Sequence, residues 1–179
     1  MNSKVEHHRK ELRLRGYDYA QAGGYYVTLV TQGRARLFGE MEGGEMRLNP
    51  FGEIVKEEWL RSAEIRDEIS LDAFVVMPNH IHGIIFIHGI VGATGRSPLP
   101  QNETSRYAHG PAPKSIGALV AGFKSSVTKR INILRNAPGV PIWQRNYYEH
   151  IIRNEEDYER IFNYIATNPS KWAEDEENK

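Results

Sequence analysis

The stretch Val75-Val76-Met77-Pro78-Asn79-His80-Ile81-His82-Gly83-Ile84-Ile85-Phe86 limits the fold more than any other part of the chain. Two apolar runs rich in Val, Ile and Phe flank a Pro-Asn break, which predicts two strands joined by a tight connection. Side chains alternate along a strand, so His80 and His82 share one face and Ile81 takes the other. Two imidazoles on one rigid face make half of a metal site. A His-x-His strand also occurs on partly exposed sheet faces, so the pair needs further ligands from elsewhere in the chain.

The rest of the chain supplies a setting for that pair. A length of 179 residues fits one domain over 1–179 with a real core. The absence of cysteine excludes a disulfide scaffold and thiolate zinc sites, and fits a reducing compartment. Met1 to Arg15 is charged and has no apolar segment, and no apolar run approaches a membrane span. The expectation is a soluble, cytoplasmic protein with no membrane partner. The formal net charge of zero hides an uneven distribution. Lys114, Lys124, Lys129, Arg130 and Arg135 lie in a stretch without acids, whereas 173–179 is an acidic tail.

In chain order, Arg9, Lys10, Arg13 and Arg15 accompany Tyr17 and Tyr19 in an arm that is either solvated or set to contact phosphates and bases. Tyr25 to Thr31 reads as a strand, and Glu42-Gly43-Gly44-Glu45 as a turn between two short extended pieces. Asn49 and Pro50 open an amphipathic helix that runs to about Arg66. The His-bearing strand pair occupies about Leu71 to Ile87. Residues 88–113 collect Gly, Pro, Ser, Thr and Asn and predict a long mobile loop. Ile116, Leu119, Val120, Phe123, Val127, Ile131 and Leu134 mark a second helix over 115–134. Val140 to Arg153 is expected to be extended. Asn154 caps a last helix that ends near Asn168, before Pro169. Strand, helix, strand pair, helix, strand, helix is the order of an α+β, ferredoxin-like split βαβ sandwich with a terminal helix.

On that last helix Tyr158, Ile161, Phe162 and Ile165 form the expected buried stripe. Tyr164 falls to one side of it, and Asn168 sits one turn below Tyr164. A tyrosine at a helix flank is usually a boundary residue. Beside a His-x-His strand, the Asn168 amide oxygen offers a third metal ligand and the Tyr164 phenol can reach the space over the metal.

These residues carry a resemblance. Met77-Pro78-Asn79-His80-Ile81-His82 resembles the HUH motif of single-tyrosine transposases, where U is a bulky apolar residue. Trp143 to His150, Ile152-Arg153-Asn154 and Tyr164-Ile165-Ala166-Thr167-Asn168-Pro169 resemble the C-terminal signature of the REP-associated tyrosine transposases. Arg15 to Tyr19 and Leu37-Phe38-Gly39 are similar to that group's N-terminal part. The likeness covers nearly the whole chain apart from the 88–113 loop and the acidic tail. It implies a ferredoxin-like fold with the HUH motif on a central strand and a C-terminal catalytic helix, single-stranded or hairpin DNA as partner, and a divalent metal. By motif position it implies His80, His82 and Asn168 as metal ligands and Tyr164 as nucleophile.

Metal-dependent cleavage with a covalent phosphotyrosine intermediate is therefore the expected activity. A cation over a non-bridging oxygen offsets phosphodiester charge, and a phenol needs such help to attack. Two nitrogens and an amide oxygen accept Mg²⁺ or Mn²⁺. Arg13, Arg15, Lys124, Lys129, Arg130, Arg145 and Arg153 are the expected DNA-binding residues, while Glu149 and His150 serve packing or DNA equally well. Monomer and homodimer both remain open. Two other readings compete: a domesticated relative that binds hairpin DNA without cutting it, and a hydrolase of small phosphoesters that would not depend on Tyr164.

Overall fold

The computed structural model describes residues 21–89 and 111–178. The arm with Arg13 and Arg15 and most of the 88–113 loop lie outside the described residues. The elements are β1 (Gly23–Val30), β2 (Gly39–Glu42), β3 (Glu45–Leu48), α1 (Pro50–Glu64), β4 (Ile69–Val76), β5 (His80–Ile87), α2 (Ile116–Leu134), β6 (Tyr148–Ile152) and α3 (Glu155–Thr167). Two 3-10 turns, Pro169–Glu174 and Glu176–Asn178, follow α3.

Four strands form an antiparallel sheet in the order β4-β5-β1-β6. With α1 and α2 as its crossovers, this is the expected ferredoxin-like split βαβ arrangement, and the His strand β5 is central. Alternation sets the two faces. Tyr25, Val27, Leu29, Ile81 and Ile85 pack with Val55, Trp59, Leu119, Val120, Phe123 and Val127 from α1 and α2. Tyr26 and Ile84 face the other way and pack with Ile161 and Ile165 of α3. His80 and His82 share the parity of Ile84, so the His pair points to the α3 side. The β1–β5 register sets Thr28 opposite His82.

Local chemistry explains the boundaries. The Asn49 side chain accepts from the Phe51 and Gly52 amides, Ser115 from Ala118 and Asn154 from Asp157, so α1, α2 and α3 each begin on a capping residue. Gly43 and Gly44, with φ of 60° and 83°, make the tight turn of the β2–β3 hairpin, where two successive positive φ values favour glycine. At the Pro78-Asn79 break, the Met77 amide donates to the His80 carbonyl. The Thr31 and Phe38 amides bond the Asn79 and Pro78 carbonyls, which ties this connection to the end of β1 and the segment after it.

Two expectations are corrected. The strand expected over Val140 to Arg153 shrinks to Tyr148–Ile152, preceded by one bridge between Thr31 and Trp143. The Lys124 ammonium on α2 takes the Gln144 and Asn146 carbonyls, each at 2.9 Å, and draws those acceptors away from a ladder. Phe162 is 39% exposed rather than buried. Only Ile161 and Ile165 of the expected stripe are fully covered by the sheet, and Phe162 packs against Tyr158 at the helix edge. Among the described residues no helix is long and apolar enough to cross a membrane.

Gly83, between the His pair and Ile84, is fixed by close approach. A Cβ there would lie 2.3 Å from Cζ2 of the buried Trp59 ring. Gly83→Ala is therefore expected to destabilise the protein by about 1–3 kcal/mol through overpacking. Denaturant unfolding checks this, and an unchanged midpoint would contradict the packing described.

Candidate metal centre and tyrosine

His80 and His82 are 0% and 2% exposed, and their Nε2 atoms lie 3.0 Å apart. Each ring is held from behind. His80 Nδ1 lies 2.8 Å from the Asn79 side-chain oxygen, which can only accept, so Nδ1 carries the hydrogen and Nε2 keeps its lone pair. His82 Nδ1 lies 2.8 Å from the Tyr26 hydroxyl and 2.9 Å from the Thr28 hydroxyl. Such outer partners fix the tautomer and direction of metal-binding imidazoles. Neither Tyr26 nor Thr28 stands out in the sequence. The β1–β5 register puts Thr28 beside the pair, and the shared face of β1 adds Tyr26.

Electrostatics keep both rings neutral. Burial lowers His80 to about 4, with Arg34 adding to the effect and Asp175 opposing it. Burial, then the neighbouring His80, holds His82 well below the usual value. Burial pushes the Tyr26 phenol well above the ordinary tyrosine value, so it stays protonated.

Helix α3 brings in the other groups. Tyr164 is 44% exposed, and its hydroxyl lies 3.4 Å from His82 Nε2 and donates to Asp175 Oδ2 at 3.4 Å. Asn168 is buried, and its Nδ2 donates to Asp175 Oδ2 at 2.8 Å. The Asn168 Oδ1 is buried without a hydrogen-bond partner. The structure thus brings together His80, His82, Tyr164 and Asn168 and adds Asp175.

Asp175 belongs to the acidic tail over 173–179 and is not among the expected site residues. The 3-10 turn at Pro169 bends the chain back, so Asp175 becomes buried and joins His80 and His82 in a group whose ligand atoms all lie within 4.8 Å. Trp172 packs near His80 at 5.9 Å between ring centroids, and the Arg36 guanidinium lies 5.7 Å from the Trp172 ring. Arg34 pairs with Glu177 at 3.0 Å, and the Asn79 side chain donates to the Glu177 carbonyl. A cleft of about 650 Å³ opens beside the pair, lined among others by Tyr26, Thr28, His82, Tyr148, Tyr164, Asn168 and Asp175.

The donor set fits a divalent cation. The Nε2 atoms share at most one hydrogen between neutral rings, and beside them lie the Asp175 carboxylate, which accepts from Asn168 Nδ2 and the Tyr164 hydroxyl, and the Asn168 Oδ1, which has no donor. Acceptors therefore outnumber donors in a buried space, which is costly unless a cation or further donor completes it. Imidazole nitrogen with carboxylate and amide oxygen suits first-row divalent metals.

The expected DNA-binding cations divide into two groups. Lys124 is committed to the Gln144 and Asn146 carbonyls, and its burial lowers its pKa to about 8. Arg130 pairs with Glu57 and the buried Glu58. Lys129 and Arg145 are exposed and line a groove of about 520 Å³ together with Ser125, Thr128 and Gln144. Arg153 is exposed beside a separate depression near Asp72 and Tyr158. Among the other tyrosines, Tyr158 donates to Asp72 at 2.7 Å.

A solved REP-associated tyrosine transposase bound to a REP hairpin matches at a TM-score of 0.53 and 20% identity, over 89% of this chain and 73% of that one. No family model matches. An uncharacterised protein of Haemophilus influenzae (strain Rd) is 38% identical over 170 residues, which cover 95% of this chain and 93% of that protein. The chain belongs to one family with this Haemophilus influenzae protein, and its fold is REP-associated tyrosine transposase-like.

Proposed function

We propose that the protein is a metal-dependent, single-strand DNA endonuclease and strand transferase that acts on hairpin-forming DNA, with Tyr164 as nucleophile. The observation that carries this reading is the Tyr164 hydroxyl beside His82 Nε2 and Asp175, over an acceptor-rich pocket that also contains the unpartnered Asn168 oxygen. His80, His82 and Asn168 would hold the metal, with Asp175 as an added ligand. Bound there, Mg²⁺ or Mn²⁺ supplies positive charge to a phosphodiester oxygen.

In the step itself, the Tyr164 oxygen bonds to phosphorus, its proton is lost, and the bond from phosphorus to the 3′ oxygen breaks. The leaving oxygen takes up a proton and becomes a free 3′-hydroxyl, while the 5′ side stays on the enzyme as a phosphotyrosine. The chain's own residues do the positioning. Helix α3 and its C-cap residue carry nucleophile and amide one turn apart, and Asn79, Thr28 and Tyr26 hold the two imidazoles in place. The test is incubation with labelled single-stranded hairpins and Mn²⁺, followed by a search for an adduct that survives denaturant. A non-cleaving binder gives affinity without adduct, and a small-phosphoester hydrolase gives neither adduct nor dependence on Tyr164.

Lys129 and Arg145 would meet the phosphates of the hairpin. Alanine at either is expected to weaken hairpin binding across sequences and lower the salt slope by about 1. Lys124→Ala is expected instead to cost about 1–3 kcal/mol of stability, because two carbonyls lose their donor. Anisotropy titrations at several salt concentrations, beside thermal melts, check both. An unchanged slope in the Lys129 and Arg145 variants would remove the groove from the DNA path.

A further inference from the structure

Beside the metal cleft lies a second cavity of about 290 Å³, lined by Tyr26, Tyr148, His150, Arg160, Ile161 and Tyr164. Tyr26, Tyr148 and Tyr164 line both cavities, so a strand whose phosphate sits at the Tyr164 hydroxyl has this space as its immediate neighbour. We propose that the side cavity receives the base of the unpaired nucleotide next to the scissile phosphate, with Tyr148 as its stacking wall. The proposal rests on the reading of Tyr164 as the nucleophile of a DNA-cleaving site.

The walls have the chemistry that a nucleobase needs. Tyr148 is 47% exposed although it belongs to a paired strand, where Thr28 lies opposite and the backbone is fixed. Its ring meets Tyr26 edge-on, at 6.1 Å between centroids and 68° between planes, and Tyr26 meets Tyr164 in the same manner at 6.4 Å and 87°. The buried Ile161 adds an apolar wall. Aromatic walls accept the flat face of any base, which suits a subsite that binds a single strand without strict sequence demands.

The polar residues of the cavity are preorganised. His150 Nε2 contacts Asp157 Oδ2 at 2.7 Å, and Arg160 pairs with Asp157 Oδ1. The Asp157 backbone amide in turn donates to the Asn154 side-chain oxygen at 2.8 Å. One carboxylate near the start of α3 therefore holds both residues, and Arg160 stays largely exposed where a sugar-phosphate chain would pass. Ordinary aromatic core packing does not account for this cluster, because Tyr148 and Tyr164 are both exposed and both border open space.

The test is a set of hairpins with a single-stranded flank, each with one abasic position around the cleavage point. These are titrated against the wild type, Tyr148→Ala and Tyr148→Phe in the presence of Mn²⁺. One abasic position should weaken wild-type binding about tenfold. Tyr148→Ala should weaken the intact hairpin by a similar factor and become indifferent to that same position. Tyr148→Phe should match the wild type, since the ring rather than the hydroxyl supplies the wall. Should the alanine variant unfold, Tyr148→Leu keeps bulk without a π-face and should show the same indifference. Wild-type affinity in the alanine or leucine variant, or losses that simply add at every position, would overturn the side cavity. If the wild type forms the covalent adduct while Tyr148 shows no coupling, the side cavity alone falls. If the wild type forms no adduct, the nucleophile reading fails and takes the side cavity with it.

Discussion

Tyr164→Phe is expected to abolish hairpin cleavage and the covalent adduct while hairpin affinity survives. The substitution removes one oxygen from a side chain that is 44% exposed, so stability should change by no more than about 1 kcal/mol. Loss of the attacking atom leaves positioning and metal in place, and rates should fall by about four orders of magnitude or more. Tyr158→Phe provides the contrast. Its hydroxyl donates to Asp72 on β4, away from the His pair, so this variant should lose some stability and still cleave. Cleavage time courses, adduct gels and melts on the two variants separate these effects. An adduct that persists in Tyr164→Phe and vanishes in Tyr158→Phe would mean that the wrong tyrosine has been assigned.

The second large effect belongs to the imidazoles. His80→Ala or His82→Ala should each abolish Mn²⁺-dependent cleavage, because either change removes a nitrogen ligand from the candidate site. Both rings are buried, so alanine also leaves a cavity, and Asn is the more conservative companion substitution. The discriminating readout is metal-linked stability. Mn²⁺ should raise the melting temperature of the wild type with increasing concentration, as expected of a ligand that binds only the folded state, and should leave the His variants unmoved. The same Mn²⁺-dependent rise in all of these proteins would place the metal elsewhere. Undiminished cleavage by the His variants would sink the metal assignment.

The parts of this site that follow a local period are the parts legible in the sequence. Alternation along 75–86 puts His80 and His82 on one face, and the structure has them there because β5 is central and Ile81 fills the core behind. Helical spacing sets Asn168 beneath Tyr164, and Asn49 and Asn154 mark their helix starts by side-chain chemistry that acts within three residues. What was not legible depends on contacts between distant segments. Asp175 reads as one acid among several in a charged tail, and only the turn at Pro169 and the ties of Arg34 and Asn79 to Glu177 bring it to the His pair. Thr28 and Tyr26 look like ordinary strand residues until the β1–β5 register sets them behind His82. Lys124 has the sequence context of a phosphate contact, yet the carbonyls of Gln144 and Asn146 hold it. Charge type is visible in a sequence, whereas the partner that uses the charge is not.

The most direct test of the central claim is to map the covalent bond. Wild-type protein is incubated with a labelled single-stranded hairpin and Mn²⁺, denatured and digested, and the nucleotide-bearing peptide is sequenced by mass spectrometry. One modified peptide is expected, with the nucleotide on Tyr164 and a free 3′-hydroxyl on the released fragment. Attachment to Tyr148 or Tyr26, or cleavage products with no protein-bound nucleotide at all, would contradict it.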